Sequence, residues 1–104
     1  MTRRMPRDVP VQLAFEPASG LQDAWGRIET LSPVGTRLLT LARLQKRARV
    51  LLSFEVNGER FDQLDALVSH SEMDPDGYSL VELDFVSPLV RRRLSAALLD
   101  ALSR

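Results

Sequence analysis

Residues Arg49–Val56 place Val50, Leu52, Phe54 and Val56 on one side, and the run ends directly in Asn57-Gly58. A period of two marks a strand with one buried face, and Asn-Gly is among the strongest short-range signals for a two-residue hairpin turn. A chain with both features must come back as a second strand. Phe61–Ser71 provides it, with Leu64, Ala66, Val68 and His70 expected to share one side. An isolated hairpin is marginal in water, so this pair demands further strands to cover its apolar face.

The remaining sequence meets that demand. Val9, Val11, Leu13 and Phe15 alternate with Pro10, Gln12 and Ala14, and Pro10 suits a strand start or an edge. Glu16-Pro17-Ala18-Ser19-Gly20 is loop chemistry. Two more strands, Ala24–Leu31 and Thr36–Leu41, flank the turn Ser32-Pro33-Val34-Gly35, with Ile28, Leu38 and Leu39 expected to be buried. The basic connector Ala42–Ala48 is too short for a stable helix and reads as a loop or single turn. After Pro75-Asp76-Gly77 a last strand, Tyr78–Val86, turns Val81, Leu83 and Phe85 inward.

At Ser87-Pro88 the period changes. Serine is a good N-cap and proline a good first helical residue, and Val90, Leu94, Ala97, Leu98, Ala101 and Leu102 then recur at helical spacing. Arg91–Arg93 fall in the first turn, where the helix dipole disfavours cations. They serve either as a solvated face or as contacts for a partner. The expected fold is mostly β: a six-stranded antiparallel barrel closed by a C-terminal helix over residues 88–103. Residues 9–104 form the single domain and residues 1–8 a flexible basic arm. At 104 residues the chain supports one modest core.

Composition narrows the chemistry. Cysteine is absent, which removes disulfides, thiolate metal sites and thiol nucleophiles. No apolar run approaches the ~20 residues of a membrane helix, and no hydrophobic segment follows the basic N-terminus, so the expected location is the cytoplasm, without membrane insertion. His70 is the single histidine, and no second histidine or cysteine completes a nucleophilic dyad; an enzyme is not expected. The acidic run Glu72–Gly77 matches the first half of a calcium loop. The position needing a bidentate glutamate is Leu83, however, and Pro75 interrupts the loop, so no metal is expected.

Formal net charge is zero, with 14 basic and 14 acidic residues, yet the charges are clustered. Arg3, Arg4 and Arg7 crowd the arm, Arg43, Lys46, Arg47 and Arg49 the middle, and Arg91–Arg93 the helix start. Arginine grips phosphate bidentately and meets the O6/N7 edge of guanine with the same fork. In the turn, Pro33 fixes φ and Gly35 is expected to supply a positive φ, leaving the Ser32 hydroxyl and open backbone N–H groups as a small polar platform.

An RxxxR arm (Arg3, Arg7) before a first strand, followed about 25 residues later by an xSxxG turn in a six-stranded barrel with a C-terminal helix, resembles the PilZ domain family. The resemblance spans essentially the whole chain. It implies binding of the bacterial second messenger cyclic di-GMP, often as an intercalated dimer, by a single-domain receptor and adaptor that signals to a protein partner in motility, pilus or biofilm control. Arg3 and Arg7 match the arginines that wrap the nucleotide, Arg4 stands beside them, and Ser32 and Gly35 match the turn. One position departs: the family's Asp or Asn is Thr30 here. A carboxylate accepts from both N1–H and N2–H₂ of guanine, whereas one short hydroxyl satisfies one at best. The loss is worth on the order of 1–3 kcal/mol, roughly ten- to a hundredfold in affinity. The alternative is a degenerate PilZ domain that binds no nucleotide and acts as a protein-interaction adaptor. A third reading is nonspecific nucleic-acid binding through the arm and Arg43–Arg49.

Overall fold

The computed structural model describes residues 9–102, with side chains through residue 100. Six strands follow in order: β1 (Val9–Ala14), β2 (Ala24–Leu31), β3 (Gly35–Thr40), β4 (Arg49–Val56), β5 (Glu59–Met73) and β6 (Ser79–Phe85). They close into an antiparallel barrel with neighbours β1-β2-β3-β6-β5-β4, and helix α1 (Pro88–Leu102) follows. The expected barrel and helix are thus both present. Residue 103, assigned to the helix from the sequence, lies outside the described residues, as do Arg3, Arg4 and Arg7 of the arm.

Closure depends on β5. Its 15 residues exceed the expected Phe61–Ser71 at both ends, pairing with β4 through Glu59–Leu67 and with β6 through Ala66–Met73. One strand can serve two ladders in a tight barrel only if it bends, and it bends at two bulges. The first lies between Phe61 and Leu64, where Gln63 has φ 50° and its N–H donates to the buried Ser53 hydroxyl at 2.9 Å. Phe61 and Leu64 consequently both face inward although three residues apart, and Phe61 stacks on Phe54 with ring centroids 5.5 Å apart.

The second bulge corrects an expectation. Register shifts between Val68 and His70, so Val68 stands opposite inward Leu83 while His70 stands opposite outward Glu82. Leu64, Ala66 and Val68 are buried, as alternation requires, but His70 leaves their face and is exposed. Leu39 also departs: it pairs with Arg27 and Leu80 on the outer face and is only half-buried, whereas Leu38 is in the core.

The inward residues of β4 and β6, Val50 to Val56 and Val81 to Phe85 at alternate positions, are buried as expected. The connector between β3 and β4 is a loop that spans one barrel end and drops Leu44 into the core, a contribution its basic sequence conceals. At the Asn57-Gly58 turn both residues have positive φ, 53° and 83°, the geometry that Asn-Gly hairpins favour.

Helix α1 seals the barrel with Leu94, Ala97 and Leu98, all buried. Its basic first turn is held by the chain itself. Arg91 donates through Nε (3.1 Å) and Nη2 (2.8 Å) to the Phe85 carbonyl at the end of β6. Arg93 donates to Glu59 (3.2 Å) and to the Arg60 carbonyl (3.3 Å), with its guanidinium 4.6 Å from the Phe61 ring centre. Neither arginine is merely solvated. Both fix where the helix sits, which offsets the small dipole penalty.

Truncating Leu94, which has no exposed surface, is expected to cost about 2–5 kcal/mol in urea unfolding. Leu99→Ala, on the 64% exposed side of the same helix, should stay within about 0.5 kcal/mol of the parent.

Candidate functional site

The turn joining β2 to β3 stands at the outer wall of the barrel, and a third bulge shapes its approach. Register shifts between Ile28 and Thr30, so Ile28 and Leu31 both point inward. A regular strand would turn Thr30 to the same side as Ile28. The bulge turns it out to solvent instead, opposite Arg37 of β3. Thr36, next along β3, is buried and donates its hydroxyl to the Thr30 carbonyl at 2.8 Å, which locks the irregular segment in place.

Inside the turn, the expected open platform is already used. The Ser32 hydroxyl accepts from the N–H groups of Val34 (3.3 Å) and Gly35 (3.2 Å) and lies 3.2 Å from the Gly35 carbonyl, to which it donates. The Ser32 N–H closes the turn on the same carbonyl at 2.9 Å. Ser32 is therefore a brace, and these two N–H groups point at its oxygen rather than outward. The reason for Gly35 also differs from the expected one. The positive-φ glycines are Gly20, Gly58 and Gly77, so Gly35 is not there for a left-handed backbone. It pairs with Asp84 so closely that an added Cβ would run into the Leu83 carbonyl oxygen.

Thr30, Ser32 and Gly35 line one cavity of about 360 Å³. Residues that the sequence did not single out complete it: Arg37 from β3, Ser69 from β5, and Glu82 and Asp84 from β6. Ser69 is the bulged residue, and its hydroxyl donates to the Glu82 carbonyl at 3.1 Å. The described wall therefore carries two carboxylates against one guanidinium. Among the described residues the cavity wall thus offers an anion little positive charge.

Val9 pairs with Ile28, so the described chain begins beside the end of β2 that leads into Thr30.

A second outer cavity, about 250 Å³, lies at the opposite end of β2 and β3 between Trp25, Arg27, Leu41 and Tyr78. Trp25 and Leu41 are 67% and 68% exposed, an apolar patch whose outward positions follow from the strand period. Among the mid-chain cations, Arg49 is committed: it donates through Nε (2.7 Å) and Nη2 (2.6 Å) to Asp65 and reaches Glu16 at 3.4 Å. The hydrogen bonds and charge of Asp65 raise its pKa above the ordinary arginine value, with a smaller rise from Glu16. No group of three or more metal-ligating side chains occurs among the described residues. In the acidic run, Asp74 accepts from the N–H groups of Asp76 and Tyr78, both at 2.9 Å, and forms a turn.

Replacing Gly35 by alanine should destabilise the barrel by about 1–3 kcal/mol, because the clash is with backbone. Ser32→Ala should cost about 1 kcal/mol and speed amide exchange at Val34 and Gly35, both read by denaturation and hydrogen exchange. Compared with protein-family models, curated proteins and solved structures, the chain matches none.

Proposed function

We propose that this protein is a single-domain cyclic di-GMP receptor of the PilZ type, whose basic arm closes over the outer cavity beside the β2–β3 turn and offers the covered surface to a protein partner. The supporting observation is convergence. Val9, the residue that follows the RxxxR run by two positions in the sequence, stands across from Ile28, and the same end of β2 carries the bulge that exposes Thr30 and the turn that brings Ser32 and Gly35 to the cavity. The strand that the RxxxR run precedes in sequence thus begins at the end of β2 that carries the turn.

The division of labour follows from charge. Arg3 and Arg7, with Arg4 beside them, supply the positive charge for the two phosphates, since the cavity wall itself carries Glu82 and Asp84. The turn contributes shape: Ser32 holds it and Gly35 keeps it free of a side chain. Ordering the arm costs conformational entropy, which phosphate and guanine contacts must exceed.

The two carboxylates and Thr30 favour a second reading, a PilZ-like adaptor that has lost the nucleotide. Calorimetric titration with cyclic di-GMP separates the two. The receptor reading expects saturable heat that Arg3→Ala or Arg7→Ala abolishes, and no heat from the wild-type protein at high ligand leaves the adaptor. Thr30→Asp should tighten or restore binding. A steep salt dependence with no guanine preference would instead support nonspecific nucleic-acid binding.

A further inference from the structure

The carboxylates of the cavity wall have an unusual setting. Neither Glu82 nor Asp84 forms a side-chain hydrogen bond or ion pair with any described residue. Register fixes their neighbours. Thr30, Arg37 and Glu82 make one outward row across β2, β3 and β6, and Gly35 stands opposite Asp84 in the next. Gly35 has no side chain, and the Asp84 Oδ1 lies 3.5 Å from where a Gly35 Cβ would be. The same bare position that β3–β6 packing requires thus opens a path to an unpaired carboxylate.

An ionised acceptor in such a place repels phosphate and attracts paired N–H donors. Guanine presents N1–H and N2–H₂ side by side, and a carboxylate's two oxygens accept both. Adenine offers an acceptor at N1 and no N2 amine, so the same carboxylate disfavours it. We propose that Asp84 is the guanine-reading residue of this site, supplying from β6 the double acceptor that Thr30 cannot supply from β2. The assignment rests on the cyclic di-GMP reading above and deepens it.

Calorimetric titration of the full chain and of Asp84→Ala and Asp84→Asn, each with cyclic di-GMP and with cyclic di-AMP, tests it. Wild type should prefer the guanine nucleotide. Asp84→Ala should bind it roughly ten- to a hundredfold more weakly and lose most of that preference, with Asp84→Asn, which keeps one acceptor oxygen, in between. The exposed side chain can be removed without opening a core cavity, and an unchanged unfolding midpoint checks that the variants fold. Guanine binding that is unaltered in Asp84→Ala, or that falls equally for both nucleotides, overturns the role of Asp84 and leaves the receptor standing. A wild-type protein that binds neither overturns both.

Discussion

Barrel closure here hangs on the ability of β5 to change partners along its length. Residues near its start pair with β4, those near its end pair with β6, and the two ladders overlap only around Ala66 and Leu67. A straight strand of 15 residues would splay away from one partner. The bulges at Gln63 and Ser69 take up the bend, and each is tied by a hydrogen bond to a neighbouring strand. The cost of irregular backbone is offset because every strand acquires two neighbours and no edge remains open.

The same device sets what the outer wall presents. At Glu29–Thr30 and at Ser69 the chain gains a residue, and the side chains that follow change faces: Thr30 and His70 go outward, while Leu31 turns into the core. Two of the three bulges therefore border one cavity. A barrel of this size is filled by its own side chains, Phe54, Phe61 and Phe85 among the largest, which leaves binding to its exterior. In the proposed receptor the arginine-bearing arm covers a ligand held on that exterior.

Charge in this molecule is spent in two ways. Arg49, Arg91 and Arg93 are structural: they tie β4 to β5, and the helix start to β6 and to the β4–β5 hairpin. Glu82 and Asp84 face the cavity without such partners. In the proposed receptor this asymmetry assigns phosphate to the arm and the base edge to the wall. Clustering along the sequence does not reveal that Arg49, Arg91 and Arg93 are each held by the chain itself.

Period and turn chemistry were enough to place six strands, the Asn57-Gly58 hairpin and the helix beginning at Pro88, because each depends on residues adjacent along the chain. The Thr30–Gly35 turn was also visible locally, and the structure gives it a cavity. Its working parts were not visible. Ser32 looked like an open hydroxyl but braces the turn, and Gly35 looked like a backbone hinge but clears space for the Leu83 carbonyl. Leu44 read as part of a basic linker yet fills the core, and His70 read as inward yet faces out. Asp84, which lines the cavity opposite Gly35, carried no signal, since nothing near it in sequence belongs to the turn. Strand pairing across the barrel brings β6 beside β3, and bulges decide which side each residue meets; both are set by closing the whole sheet, not by any local run of residues.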